Sequence, residues 1–205
     1  MTITSNRGDA AQIRKASTRD MPRIASTLAA AFFDDPVSRW IHPDDARRRN
    51  VLPGFFSLFA ETLKRHDELY VAGDGTGAAL WAPPGQPVAP EEEAEEFGRR
   101  LEEMSGEDAE RAFAVGKLID EHHPPGSYYF LQFMGVEPAS QGRGIGSALL
   151  AHMLERCDRE GERAYLDATS PRNKKYYERH GFRASGEYAP EGGPPLWPMW
   201  RVPRA

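Results

Sequence analysis

Residues 141–146 read Gln-Gly-Arg-Gly-Ile-Gly and stand between an aromatic and β-branched run, Tyr128 to Val136, and an amphipathic stretch from about Ser147 to about Arg159. The first run predicts a strand and the second a helix. Glycines at the alternating positions Gly142, Gly144 and Gly146 free the backbone to turn its N–H groups toward one point, with little side-chain bulk in the way. With the positive end of the following helix, those amides predict a site for a phosphate or pyrophosphate. Arg143, inside the loop, either pairs with such a phosphate, the favoured reading, or simply faces solvent.

The spacing narrows the ligand. A dinucleotide fingerprint, G-x-G-x-x-G, would need glycine where Ser147 stands, and no lysine follows as a triphosphate-binding loop would require. The pattern that fits is Q-x-x-G-x-G preceded by Val136-Glu137-Pro138. It resembles the acetyl-CoA pyrophosphate loop of the GNAT superfamily of N-acetyltransferases. The resemblance implies that Met134, Val136, Gln141, Gly142, Arg143, Gly144, Ile145, Gly146 and Ser147 hold the coenzyme.

A second block follows the strand-like run Ala164-Tyr165-Leu166-Asp167-Ala168. It reads Ser170-Pro171-Arg172-Asn173-Lys174-Lys175-Tyr176-Tyr177-Glu178-Arg179-His180-Gly181-Phe182. By the same resemblance, Asn173 contacts the pantetheine or phosphate arm of the coenzyme, and Tyr177 stands beside the thiol leaving group as the catalytic residue. Asn173 also reads as a helix N-cap, and the two roles are compatible. Gly181 sits where a helix C′ residue needs a positive φ. Leu28-Ala29-Ala30-Ala31-Phe32 with Asp35-Pro36, Trp81 with Pro83, Pro171-Arg172-Asn173 and the C-terminal Pro190-Glu191-Gly192…Trp197…Met199 extend the similarity to the family of puromycin N-acetyltransferase and its relatives. That similarity is weakest over 37–65 and 90–121. Asp34, Asp35, Trp81 and Tyr128 are the candidate acceptor-site residues.

Acetyl transfer from a thioester needs a neutral nitrogen. An unperturbed alkylamine of pKa about 10.4 is only about 0.04% neutral at pH 7, so the site must desolvate the ammonium or remove its proton. The implied oxyanion donor is a backbone N–H near Val136, where pantetheine would add to the sheet like an extra strand. A phenol of pKa about 10 passing its proton to a thiolate at about 8.5 is uphill by about 2 kcal/mol, which favours a hydrogen bond from Tyr177, or a lowered tyrosine pKa, over simple proton transfer. Asp34, Asp35, His122, His123 and Glu137 are open candidates for the general base, as is a water chain. Adjacent histidines without a nearby ligand cluster argue against a metal at His122-His123.

The elements that must position these residues are spread along the whole chain. Residues 1–10 look frayed, residues 12–15 form a short strand, and Ile24, Leu28, Ala31 and Phe32 recur at helical spacing until Asp34-Asp35-Pro36. A helix from about Asp44 to about Arg65 is expected to kink or split at Pro53-Gly54. Strands at 69–72 and 78–82 meet at a glycine-rich turn. The segment 91–121 is acidic and helical, either a solvated face or a lid over the acceptor site. Strands to about Tyr188 and over 196–202 complete the order β-αα-ββ-α-β-α-β-α-ββ.

At 205 residues the chain supports one core, and the fold class expected is α/β: a single GNAT-like domain, 1–205, with a central mixed sheet flanked by helices. A net charge of −5 without a basic stripe argues against nucleic acid, and no apolar run approaches membrane-spanning length. The single cysteine, Cys157, reads as a buried structural thiol and fits a reducing cytoplasm. The expected function is acetyl-CoA-dependent N-acetylation of a small-molecule amine, an aminonucleoside or amino-acid-like compound among the options, without metal, by a monomer or homodimer. Alternatives are a non-catalytic acyl-CoA sensor and a protein lysine or N-terminal acetyltransferase.

Overall fold

Short aliphatic and aromatic runs supply seven strands in the computed structural model, which describes residues 12–204. The residues expected to be frayed, 1–10, lie outside those described. The strands are β1 (Ile13–Lys15), β2 (Leu69–Ala72), β3 (Gly77–Ala82), β4 (Tyr129–Val136), β5 (Ala164–Ala168), β6 (Arg183–Ala184) and β7 (Trp197–Arg201). They form one sheet in the order β1-β2-β3-β4-β5-β7-β6, antiparallel throughout except for the parallel pair β4–β5. The helices are α1 (Met21–Phe32), α2 (Pro36–Ile41), α3 (Asp45–Leu63), α4 (Ala94–Ser105), α5 (Ala109–His122), α6 (Ile145–Glu160) and α7 (Pro171–Arg179). The mixed α/β architecture expected from the sequence is therefore present.

Every residue of β2 and β3 is buried, because helices cover both faces of the sheet. On one face, Leu149, Leu150 and Met153 of α6 pack against Tyr70, Trp81, Leu131 and Leu166. On the other, Ile24 and Leu28 of α1 and Phe56 and Leu63 of α3 pack against Val71, Leu80, Phe130 and Tyr165. Burying each such aliphatic or aromatic side chain contributes roughly 1.5–3 kcal/mol. Gly135 allows α1 to lie close on β4, since a Cβ there would stand 2.7 Å from Cβ of Ala31.

Several local expectations are corrected. Asp34-Asp35-Pro36 does not simply end a helix: Asp35 caps a new one, α2, accepting from the Val37 N–H at 2.9 Å, with Pro36 in the first turn. Helix α3 runs unbroken through Pro53, because its apolar side is held against α1 and the sheet. The acidic segment 91–121 is two helices, α4 and α5. Helix α6 starts at Ile145, two residues early, so the last residues of the glycine motif are its first turn. After Phe182 only Arg183–Ala184 pairs as a strand, with a single bridge from Tyr188 to Leu196. The C-terminal strand β7 lies between β5 and β6, so both its edges are already used. Among the described residues no helix is long and apolar enough to cross a membrane.

Two irregularities disturb the pairing of β4. Against β3, Leu80 pairs with Phe133 but Trp81 pairs with Leu131, leaving Gln132 as the extra residue of a bulge. A bulge bends its strand and ends regular pairing nearby. Against β5, β4 pairs only at Tyr129–Ala164 and Phe130–Tyr165, and beyond those positions the two strands part.

Candidate active site

The glycine loop sits at the far end of β4. Gly142 and Gly144 have φ of +76° and +81°, and a Cβ at either would meet nothing within 4 Å. Glycine is required there for its conformation, and its bareness leaves the backbone open to a ligand. Gly146 serves differently: it is helical, and a Cβ would come within 3.0 Å of the Tyr176 hydroxyl, so its smallness lets α7 pack on α6. The first N–H groups of α6, from Ile145 onward, have no partner within the helix and carry the positive end of its dipole. Gln141 donates from Nε2 to the Val136 carbonyl at 3.1 Å, which ties the loop to the end of β4. Arg143 is exposed on the loop. Ser147 contacts His180 Nε2 at 3.2 Å.

Across the opening, the end of β5 leads into α7. Ser170 is the N-cap, its Oγ accepting from the Asn173 N–H at 3.1 Å, so Asn173 is a first-turn residue and not the cap. The Asn173 amide donates to Thr169 Oγ1 at 3.3 Å, and the Thr169 hydroxyl donates to the Asp35 carboxylate. Tyr177, one turn further along α7, has its phenol pKa pushed up by burial, with Tyr176 and the Asp35 carboxylate adding to the shift. The direction runs against a lowered tyrosine pKa and suits a hydrogen-bond donor.

Asn173, Tyr177 and Met134 open onto one cavity of about 1590 Å³. A typical pocket for one small ligand is roughly 300–1,000 Å³, so two reactants have room here. Its outer wall comes from α4 and α5 through Phe97, Leu101, Phe113 and Val115. Rings of Phe55, Phe59 and Phe133 meet along the inner wall, and Phe59 touches Phe97 of the outer one. Asp35 and Tyr128 also face this space, Tyr128 donating to the Pro124 carbonyl at 2.9 Å. Burial raises the Asp35 pKa, against hydrogen bonds from Thr169 and the Val37 and Ser38 amides that lower it.

The other candidates lie elsewhere. Trp81 is fully buried in the core beneath α6 and does not line the cavity. Asp34 is exposed and also off the cavity. Glu137 is paired with Arg23 at 2.9 Å, and His122 is stacked on Tyr188 with ring centroids 4.1 Å apart. His123 does line the cavity, among Tyr128, Phe130 and Tyr165, and burial lowers its pKa against the opposing charge of Asp120. Cys157 is buried, its thiol pushed up to about 12 by burial.

The cavity also presents residues that the sequence did not single out. Asp167 on β5 accepts at Oδ1 from the Tyr188 and Tyr165 hydroxyls at 2.8 and 3.0 Å, and burial pushes its pKa up to about 6. Its Oδ2 is buried without a partner, as is Oε1 of Gln132 in the β4 bulge. A carboxylate inside the apolar run Ala164-Tyr165-Leu166-Asp167-Ala168 was the visible signal for Asp167. Gln132 had none, since a bulge depends on the partner strand.

Comparison with known proteins agrees with this geometry. Residues 92–184, which contain β4, the loop, α6, β5 and α7, match the family model described as an acetyltransferase (GNAT) domain. An uncharacterized N-acetyltransferase of Schizosaccharomyces pombe is 26% identical over 185 residues, 82% of this chain and 73% of that protein. Among solved structures, one from Corynebacterium glutamicum, named histone acetyltransferase HPA2 and related acetyltransferase, aligns with TM-score 0.67 and 26% identity, covering 95% of this chain and 97% of that one. Arylalkylamine N-acetyltransferase 2 of Aedes aegypti shares the fold with TM-score 0.69 at 17% identity, covering 96% and 100% of the two chains. The glycine loop at the start of α6, the parted strands and the matched domain lie in one place, and the match of residues 92–184 to a GNAT acetyltransferase domain supports an acyltransferase of the N-acetyltransferase type.

Proposed function

We propose that the protein transfers the acetyl group of acetyl-CoA to a primary amine of a small molecule by direct attack. The observation that carries this reading is the opening between β4 and β5 beyond Phe130–Tyr165, with the anion-ready start of α6 on one side of the sheet and the aromatic cavity on the other. The loop from Gln141 to Ser147 would take the pyrophosphate on backbone amides, with Arg143 free to reach a phosphate. The pantetheine arm would lie along β4 at Met134 and Val136, next to Asn173. The thioester would then face both Tyr177 and the cavity.

In that arrangement the amine, once its ammonium form has lost a proton to solvent, attacks the thioester carbon. The C–S electron pair leaves on sulfur, and the proton shed by the nitrogen ends on that sulfur, so coenzyme A departs as the thiol. A backbone N–H of β4 near Val136, freed where the strands part, would donate to the oxyanion of the tetrahedral intermediate. Tyr177 would hydrogen-bond the departing sulfur. Full proton transfer from the phenol is uphill by about 2 kcal/mol from ordinary values, and burial raises that cost. Helices α4 and α5 wall the cavity, which favours a small acceptor over an extended peptide and supports the reading of 91–121 as a cover for the acceptor site.

Calorimetric titration with acetyl-CoA, followed by thiol release with arylalkylamines, amino-acid esters, aminonucleosides and peptides, tests this. Micromolar coenzyme binding with turnover on small amines is expected. A folded protein that binds no acetyl-CoA would overturn it, and turnover on peptides alone would overturn the small-molecule acceptor.

A further inference from the structure

Phe130 of β4 and Tyr165 of β5 are the last paired residues before the two strands part, and both pack on the α1–α3 side of the sheet. Two positions further along each strand stand Gln132 and Asp167. Asp167 shares the face of Tyr165, two residues earlier on β5, and Gln132 is the extra residue that the β4 bulge sets beside the opening. Both line the cavity. Each has a buried side-chain oxygen without a hydrogen-bond partner: Oε1 of Gln132 and Oδ2 of Asp167. Asp35 offers no comparable oxygen, since Thr169 and the start of α2 already use both of its own.

Two unpartnered acceptor oxygens lining one cavity call for a donor, and one of them belongs to a carboxylate. Among the described residues, the hydrogen-bond partners of Asp167 are the phenols of Tyr165 and Tyr188. A primary ammonium has three N–H donors and the complementary charge. The phenylalanine rings of the inner wall would receive an apolar body and add cation–π attraction.

We propose that the acceptor's cationic nitrogen is held between the Asp167 carboxylate and the Gln132 side-chain carbonyl, at the opening between β4 and β5. The site thereby selects protonated primary amines on an apolar body, and it rejects those bearing a carboxylate beside the nitrogen, which would meet Asp167 and Asp35. This deepens the acetyl-transfer reading, on which it rests for the identity of the reacting nitrogen.

The probes are phenethylamine, phenylalanine and phenylalanine methyl ester, which share ring and nitrogen but differ in the carboxylate. Each is titrated calorimetrically into wild type and Asp167→Asn, with and without coenzyme A, and acetyl-CoA is titrated separately. The expected result is at least tenfold weaker phenethylamine binding by D167N with acetyl-CoA affinity unchanged. Wild type should also favour the ester over phenylalanine at least tenfold, and D167N should lose most of that preference. Equal phenethylamine affinity in the two proteins, or none in folded wild type, would overturn the proposal. Loss of acetyl-CoA binding alone would instead overturn the transferase reading.

The titratable groups around Asp167 are Tyr165 on its own strand, Tyr188, Tyr128, Asp120 and His122 of α5, and His123 just after that helix. Amine affinity should therefore fall below a pH of about 6 in wild type and stay level there in D167N. A limb that persists in D167N would assign it to the histidines and count against Asp167. If D167N does not fold, Gln132→Met provides the same comparison, with at least threefold weaker phenethylamine binding expected and unchanged affinity overturning the paired site.

Discussion

The Thr169 hydroxyl donates to the Asp35 carboxylate, joining the start of α2 to the end of β5 across 134 positions of sequence. The contact fixes the loop between α1 and α2 against the strand end that launches α7. Because Asn173 donates to the same Thr169 oxygen, the two sides of the cavity share one hydrogen-bond chain. Tyr177 senses it too, since the Asp35 charge contributes to its raised pKa.

Tyr177→Phe keeps the ring and removes the hydroxyl. Turnover should drop at least tenfold, equivalent to about 1.4 kcal/mol of transition-state stabilisation, with the acetyl-CoA dissociation constant nearly unchanged. Steady-state kinetics and calorimetry on the same preparation check this, and unchanged turnover would remove Tyr177 from the mechanism.

Gly144→Glu puts a side chain at φ +81° and a negative charge at the start of α6. The left-handed conformation costs a non-glycine residue roughly 1–2 kcal/mol, and the charge opposes a phosphate. Coenzyme binding should be lost while the fold persists. A titration matching wild type would exclude the loop as the pyrophosphate site.

Asp167 makes the free protein's stability depend on pH. Its pKa is raised from 3.8 to about 6, so the folded state holds the proton more tightly than the unfolded chain. Stability from this group is therefore present in acid and declines as pH rises between those values, by up to roughly 3 kcal/mol. Asp167→Asn retains an acceptor for the two phenols without the buried charge. It should unfold at higher denaturant than wild type at pH 7 and not at pH 3.5, and equal midpoints at both values would refute the assignment.

Trp81 belongs to the core, not the cavity. Trp81→Phe should lower stability modestly and leave the KM for every accepted amine within twofold, whereas Trp81→Ala should cost about 3–5 kcal/mol. A selective rise in amine KM in the phenylalanine variant would return Trp81 to the acceptor site.

Cys157 should resist iodoacetamide at pH 8 in the native protein and react once unfolded, because it is buried and its thiol is pushed up to about 12. Rapid native labelling, read by mass spectrometry, would contradict that placement.

The sequence by itself determined the glycine loop and the helix that carries Asn173 and Tyr177. Gly142 and Gly144 need positive φ, and Tyr177 lies one turn beyond Asn173 on the same helix; these are local features, legible as spacing. Strands β2 and β5 were legible to the residue because their neighbours are turns and glycines. Helix α2 was not, since Asp35-Pro36 reads equally as a stop or a start until the chain after it is packed. Nor was the continuity of α3, where tertiary burial outweighs the proline. Only the tertiary structure decided the polar lining of the cavity. Gln132 becomes special because β4 bulges against β3, Asp167 because β5 parts from β4, and Asp35 because Thr169 reaches it. Their chemistry depends on burial and on partners far away in the chain, and neither is encoded in the few residues around each one.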